Sequence, residues 1–272
     1  MLRDRVGVSL LLLPLVMWVI ADGQWLFLAA VALVLGLAAA EWGLMFRHAG
    51  LRPSVPILVA GVVVMTGVRF FLGFEAVPAI LTVLCLAAMT WHLVDYERGA
   101  ERPGSAFGIT LSGTLYLGWI GAYLVSLRRL PDGEWWFLVA LSSVWLADSA
   151  AYFIGRKYGR HKLCPRLSPK KTWEGYLAGV IAGALSGAGL SVVWHIGAGP
   201  ASPVNAWTGL IAGTVITALA PLGDVGISML KREVGLKDSG NLLPGHGGAL
   251  DRIDSWLWAG VLGYYLAVLL GG

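Results

Sequence analysis

Residues 173–196 read WEGYLAGVIAGALSGAGLSVVWHI, and this stretch decides the fold class. Between Glu174 and His195 it carries no charged side chain, and most of its residues are apolar or small. A helix rises about 1.5 Å per residue and the hydrocarbon core of a bilayer is about 30 Å thick, so about 20 such residues span a membrane. The small residues between Ala178 and Gly189 allow a neighbouring helix to approach closely. The stretch therefore predicts a packed transmembrane helix.

The same pattern recurs along the whole chain of 272 residues. Hydrophobic residues make up 57% of the chain and charged residues only 13%, whereas an average soluble domain has about 25% charged residues. Nine apolar runs are long enough to span a membrane, at about residues 6–22, 25–46, 54–72, 76–94, 107–127, 135–154, 173–196, 206–230 and 255–270. The sequence therefore predicts an all-α, polytopic integral membrane protein with nine transmembrane helices.

No internal repeat or low-complexity linker divides the chain, so we expect residues 1–272 to form a single membrane domain. Residues 1–130 form N-terminal helices to which the sequence assigns no role. Residues 135–272 contain the remaining helices and two conspicuous charged segments, 155–172 and 223–254. Any chemistry is therefore expected in the second half of the chain.

The basic residues indicate the orientation of the spans. If the N-terminus is cytoplasmic, 17 of the 20 Lys and Arg residues fall in cytoplasmic segments, which are normally enriched in these residues. We therefore expect a multi-pass protein of the cell (inner) membrane, with its N-terminus and charged loops in the cytoplasm and run 6–22 retained as an uncleaved span. The net charge of +4 fits anionic membrane lipid and nucleotide phosphate; a nucleic-acid partner is excluded, because no sizeable soluble surface is present.

The segment 221–232 contains the first group of candidate functional residues. If it is helical, Asp224 and Ser228 lie one turn apart on one face, and Lys231 lies a further turn along. A carboxylate near a membrane span is costly and indicates a functional site, and hard oxygen ligands suit Mg²⁺. The alternative is a salt bridge between Asp224 and a nearby Lys or Arg.

The segment 237–254 is predicted to be a loop followed by a helix start. Glycines on both sides of His246, at Gly247 and Gly248 among others, let the backbone approach a ligand and offer N–H groups to phosphate oxygens. Asp251 and Asp254 then lie three residues apart at the start of the last run. Helix capping alone can explain one of these carboxylates.

The basic segment 155–172 has seven Lys and Arg residues and no acidic residue. Ser168 is a candidate N-cap with Pro169 at the first helical position, which places Lys170 and Lys171 at a positive helix N-terminus. Such a terminus attracts phosphate. The alternative, that these residues only follow the positive-inside rule and touch anionic lipid, is favoured for Arg156, Lys157, Arg160 and Lys162.

Two blocks make the sequence resemble a known family. The pattern Ser228-x-Leu230-Lys231-Arg232-x₄-Lys237-Asp238-x-Gly240-x₂-Leu243-Pro244-x-His246-Gly247-Gly248-x₂-Asp251-Arg252-Ile253-Asp254 closely resembles the signature of the phosphatidate cytidylyltransferase (CDP-diacylglycerol synthase) family. It departs from that signature at Ala249, where the family usually has a larger aliphatic residue. A second block, from Trp145-Leu-Ala-Asp148 to Lys170-Lys171-Thr172-Trp173-Glu174-Gly175, is similar to the other well-marked region of the family. The resemblance covers about residues 145–255.

The resemblance implies a Mg²⁺-dependent nucleotidyltransferase of phospholipid synthesis, which transfers CMP from CTP to phosphatidic acid and releases pyrophosphate. The expected catalytic residues are Asp224, Asp251, Lys231 and Arg232. The expected ligands of one or two metal ions are Asp224, Asp251, Ser228, Asp148 and Asp254. The expected substrate-binding residues are Ser168, Lys170, Lys171, Ser228, Lys237, His246, Gly247, Gly248 and Arg252.

Two alternative functions remain open at this point. A CTP-dependent kinase or transferase acting on a polyprenol or dolichol would carry the same charged loops and differ in its acceptor. A multi-span transporter would place its charges near the middle of the bilayer in broken helices, usually with repeat symmetry. A homodimer is compatible with the Gly- and Ala-rich faces.

Overall fold

The computed structural model describes residues 14–240 and 247–271. Within these residues, eight helical segments are long and apolar enough to cross a membrane. They correspond to the last eight of the nine predicted runs and confirm the all-α, polytopic class. The first predicted run, 6–22, lies partly outside the described residues, and its described part, residues 14–22, is helical.

The elements follow one another along the chain with short connections. Their bounds are α1 Trp25–His48, α2 Val55–Leu72, α3 Val77–Glu97, α4 Pro103–Gly113, a π-helical stretch Thr114–Ile120, α5 Tyr123–Arg128, α6 Gly133–Tyr158, β1 Lys162–Cys164, β2 Ser168–Thr172, α7 Trp173–Ala198, α8 Ala206–Leu219, α9 Pro221–Glu233 and α10 Leu250–Gly271. The fourth described span combines α4, the π-helical stretch and α5, and the seventh combines α8 and α9.

The seventh span is interrupted at Pro221. Ala220 keeps a helical backbone conformation, but Pro221 has no N–H and therefore breaks the hydrogen-bond ladder between α8 and α9. The predicted run 206–230 is thus two helices. As a consequence, Asp224 lies in the first turn of a new helix, where the free N–H groups and the helix dipole favour a negative charge.

Small residues hold α7 and α8 together. A Cβ atom at Gly187 would collide with the backbone oxygen of Gly209, and one at Gly213 would collide with that of Gly183. The two backbones are therefore in direct contact, which explains the Gly-rich composition of residues 173–196. This contact fixes α7 against the helix pair that carries Asp224.

The basic segment forms a hairpin and not the predicted helix start. β1 and β2 pair antiparallel, with Lys162 opposite Thr172 and Cys164 opposite Ser168. Ser168 is therefore a strand residue, so its prediction as the N-cap is wrong; Lys170 and Lys171 lie in β2, just before the N-cap of α7, and not in its first turn. The N-cap is Thr172, whose Oγ1 accepts a hydrogen bond from the N–H of Gly175 at 3.2 Å. Pro169 is compatible with a strand in a two-stranded hairpin as well as with a first helical position, so its presence did not distinguish the hairpin from the predicted helix start.

A buried apolar cluster joins the first and last described spans. It includes residues from α1 and α10, namely Leu35, Ala38, Ala39, Trp42, Met45, Phe46, Leu250, Ile253 and Leu257. The N-terminal helices are therefore packed directly against the helix that begins with Asp251. Burying these side chains fixes where α10 starts.

Candidate active site

Asp224 lies at the centre of the first group of polar residues. Its Oδ2 is 2.5 Å from the Nζ of Lys171, and its Oδ1 accepts a hydrogen bond from the Ser228 hydroxyl at 3.2 Å. The structure thus confirms that Asp224 and Ser228 share one helix face. It also contains the salt bridge considered as an alternative, made by a lysine of the hairpin. Lys171 and Asp224 are about one-third exposed, so other charged groups can reach the pair.

Two more carboxylates lie within electrostatic range of Asp224. Asp148, from the second half of α6, interacts with both Asp224 and Lys171. Asp254, one turn into α10, interacts with Asp224 and with Lys231 and Lys171, and its Oδ1 accepts a hydrogen bond from the N–H of Ser255 at 2.6 Å. Three helices therefore bring three carboxylates together around one lysine of the hairpin.

Asp251 and Lys231 form a second, buried ion pair. The Lys231 Nζ is 2.6 Å from Asp251 Oδ1, and both side chains are only about a tenth exposed. The other oxygen, Oδ2, accepts hydrogen bonds from the N–H of Ser239 at 2.9 Å, the hydroxyl of Ser239 at 3.1 Å and the N–H of Gly248 at 3.1 Å. A carboxylate has about four acceptor positions, and Lys231 with the N–H groups of Ser239 and Gly248 takes up three of those of Asp251. The predicted role of Asp251 as a ligand of one or two metal ions, together with Asp224, competes with this arrangement.

A further carboxylate, which the sequence did not indicate, lies beside this pair. Glu41 of α1 is buried and accepts hydrogen bonds from the N–H groups of Ala249 and Leu250 and from the hydroxyl of Ser239, each at 2.9 Å. A signal for it was present: Glu41 is the single acidic residue in the apolar run 25–46, and an ionisable residue within a span indicates function by default. The motif search missed Glu41 because it lies outside residues 145–255.

The remaining predicted site residues surround these pairs. Arg232 is exposed, and its Nη1 donates to the backbone oxygen of Leu236 at 3.1 Å. The side chains of Lys170, Lys237 and Arg252 are exposed, and that of Ser168 is half-buried. Gly247 has a φ of 80°, which favours glycine. His246 lies outside the described residues, and its predicted role stays a prediction.

The donor set fits Mg²⁺ only if the substrate completes the coordination. In residues 14–240 and 247–271, no three His, Cys, Asp or Glu side chains converge closely enough to hold an ion by themselves. Mg²⁺ usually takes one or two protein carboxylates together with substrate phosphates and water. Asp224, with Asp148 or Asp254 near it, offers such a partial set.

The fold and this site define a class: a polytopic α-helical membrane protein with lysine–aspartate pairs suited to phosphate groups at one end of its helix bundle. The chain belongs to the cytidylyltransferase family, whose sequence profile matches residues 3–270. It is 31% identical over 278 residues to a phosphatidate cytidylyltransferase of a Synechocystis species, covering 91% of this chain and 90% of the relative. Enzymes of the same name from Pseudomonas aeruginosa and Mycobacterium tuberculosis are 32% and 30% identical over 94% and 97% of this chain, and 93% and 81% of those relatives are covered. These matches confirm the family resemblance of residues 145–255 and extend it over the N-terminal half.

Proposed function

We propose that the protein transfers a cytidylyl group from CTP to phosphatidic acid, forming CDP-diacylglycerol and pyrophosphate for phospholipid synthesis. Its family membership and its phosphatidate cytidylyltransferase relatives support this function. The observation that carries the proposal is that Lys171 and Lys231 meet Asp224 and Asp251 at one end of a membrane bundle. Such a cluster matches a reaction between a nucleotide and a lipid phosphate.

The reaction joins two polyanions. An oxygen of the lipid phosphate forms a bond to the α-phosphorus of CTP, and the bond between that phosphorus and the oxygen bridging to the β-phosphorus breaks. Pyrophosphate leaves with the electron pair of that bond. A phosphate monoester is already an adequate nucleophile, so positioning and charge neutralisation are the main requirements.

The lysines supply the neutralising charge. Lys171 is partly exposed and can shift from Asp224 to a phosphate oxygen, while Arg232 and Lys170 are exposed on neighbouring elements. Lys231 is held by Asp251, which also accepts the N–H of Gly248, and the Gly247–Gly248 turn is proposed to line the nucleotide site. His246 is proposed as a hydrogen-bond donor to the nucleotide.

We assign the metal role chiefly to Asp224, with Ser228 and either Asp148 or Asp254 beside it. Asp224 is the more exposed of the two paired carboxylates, whereas most acceptor positions of Asp251 are already occupied. A bound Mg²⁺ would neutralise the phosphate oxygens of CTP and polarise the α-phosphorus. Asp251 in this proposal holds Lys231 and the glycine-rich turn in place.

The site is proposed to face the cytoplasm in the cell membrane. Seventeen of the 20 basic residues fall on that side when the N-terminus is inside, as the positive-inside rule requires. CTP then enters from the cytoplasm, and phosphatidic acid enters sideways from the inner leaflet with its acyl chains still in lipid.

The test uses purified protein in detergent with phosphatidic acid and CTP that carries a radioactive α-phosphorus. We expect the label to enter chloroform-soluble lipid only when Mg²⁺ is present, and Asp224→Asn to abolish this transfer. The matched control is Asp132→Asn, because Asp132 precedes α6 at the opposite end of the bundle and its φ of 54° also suits asparagine. Transfer to a polyprenol instead of phosphatidic acid would overturn the acceptor; it is followed in parallel with CTP labelled at the γ-phosphorus, because a CTP-dependent kinase transfers that group. Full activity of Asp224→Asn would overturn the site.

A further inference from the structure

Glu41 supplies the first turn of α10 with an acceptor from a distant part of the chain. Its Oε1 accepts the N–H of Ala249, and its Oε2 accepts the N–H of Leu250, which are 208 and 209 residues away in sequence. The first N–H groups of a helix have no partner within the helix and need an acceptor there. A carboxylate suits this position because the helix dipole is positive at its N-terminus. Glu41 therefore fixes where α10 begins.

The same carboxylate is connected to Asp251 through one hydroxyl group. The Ser239 Oγ is 2.9 Å from Glu41 Oε2 and 3.1 Å from Asp251 Oδ2. The hydroxyl has one hydrogen and donates it to one carboxylate at a time, while the N–H of Ser239 donates to Asp251 at 2.9 Å. Glu41, Ser239 and Asp251 thus form one buried chain of polar contacts.

Gly240 and Gly248 pack against the Glu41 side chain so closely that neither position has room for a Cβ atom. A Cβ atom at Gly248 would collide with Glu41 Oε2 and with the Ser239 hydroxyl, and one at Gly240 would lie 2.7 Å from Glu41 Oε1. The backbone at these two positions is therefore in direct contact with the Glu41 carboxylate. The contact with Glu41 therefore requires glycine at these two positions, independently of any contact with substrate.

We infer that Glu41 is a positioning residue for the transfer reaction. It acts from the N-terminal half by holding the start of α10, from which Asp251 and Asp254 project, and by holding Ser239, whose N–H donates to Asp251. This inference rests on the proposed function, because it requires the α10 carboxylates to belong to the reacting site. Residues that orient the groups in direct contact with substrate or metal typically affect activity by about 10–100-fold.

The experiment compares Glu41→Gln with Glu134→Gln in the full-length protein in detergent. Glutamine keeps the size of Glu41 but removes its charge and turns an NH₂ group toward an N–H donor of α10. Glu134 is a suitable control because it pairs with Arg128 at 3.2 Å near the opposite end of α6. The folded fraction is measured by gel filtration, and kcat and KM for each substrate are then determined per folded molecule.

We expect kcat of Glu41→Gln to fall about 10–100-fold while its KM for phosphatidic acid stays unchanged. The folded fraction of the control, Glu134→Gln, should also stay unchanged. Ser239→Ala, which leaves both carboxylates in place but removes the hydroxyl between them, is expected to lower kcat in the same direction. It also serves as the test if Glu41→Gln does not fold. A role in stability alone would lower the folded fraction of Glu41→Gln and leave kcat unchanged in both variants.

Asp224→Asn separates this inference from the function on which it rests. If Asp224→Asn is inactive and Glu41→Gln and Ser239→Ala have normal kcat per folded molecule, the role of Glu41 is refuted and the proposed site stands. If Asp224→Asn is active, the assignment of the site itself fails, whatever the result for Glu41.

Discussion

Lys231→Met should destabilise the protein strongly, because Lys231 and Asp251 form a buried ion pair. Their charged atoms are 2.6 Å apart with about a tenth of each side chain exposed. At an effective dielectric constant of about 20, this separation gives a gross attraction of about 6 kcal/mol. Most of it offsets the cost of desolvating the two ions, but removing one partner leaves the other buried and costs about 3–5 kcal/mol.

The two single variants differ in what they leave behind. After Lys231→Met, Asp251 keeps the donors of Ser239 and Gly248, so we expect a cost near 3 kcal/mol. After Asp251→Asn, Lys231 loses the carboxylate and the new NH₂ group faces those N–H donors, so we expect about 5 kcal/mol. The double variant removes the same interaction only once, and its cost should be about 3 kcal/mol below the sum of the single costs.

The assay is equilibrium unfolding by SDS in mixed micelles, followed by tryptophan fluorescence. Lys157→Met is the control, because Lys157 is exposed and its loss should change the free energy of unfolding by less than about 0.5 kcal/mol. A double variant whose cost equals the sum of the single costs within about 0.5 kcal/mol would refute the buried pair. All variants of Lys231 and Asp251 are expected to be inactive, since the double variant restores packing and not charge.

Two further predictions concern the elements that position the site. Thr172→Ala should lower the free energy of unfolding by about 1 kcal/mol in the same assay, because the Thr172 hydroxyl caps α7 at Gly175. Thr172→Ser keeps a hydroxyl and should retain the stability of the unmodified protein. Equal losses in both variants would contradict the cap. Gly213→Leu should lower the free energy of unfolding by more than the about 1–3 kcal/mol of ordinary overpacking, because the new side chain meets the Gly183 backbone. Gly67→Leu is the control: its side chain has open space, so its folded fraction in gel filtration should not change. Equal behaviour of the two leucine variants would contradict the close helix contact.

The spans could be predicted from sequence because the bilayer imposes a simple rule. Backbone polar groups must be satisfied within each span, so apolar runs of sufficient length become helices, and the last eight runs did so. The interruption at Pro221 was not predicted, because Ala220 remains helical and the hydropathy of the run does not change there. The hairpin was not predicted because Ser168 and Pro169 suit a helix start and a strand equally well, and only the pairing with β1 decides between them.

The site was predictable where its contacts are local in sequence. Asp224 and Ser228 are one helical turn apart, so periodicity alone placed them together. The pairs Lys171–Asp224 and Lys231–Asp251 depend on how the hairpin and two helices, α9 and α10, pack, which no spacing in the sequence specifies. Glu41 lies farther still from the motif, and its partners could be found only from the packing of α1 against α10.

In the proposed function, the pairing of Lys171 with Asp224 would couple the binding of phosphate to the binding of a cation. The ammonium group of Lys171 is a counter-ion of Asp224 as the site stands, so a phosphate that attracts Lys171 leaves the aspartate without its neutralising charge. The freed carboxylate would then bind a divalent cation more tightly, and by thermodynamic reciprocity the cation would strengthen phosphate binding by the same factor. The Lys171–Asp224 pair is itself neutral, and in the proposed function it would become receptive to nucleotide and metal together.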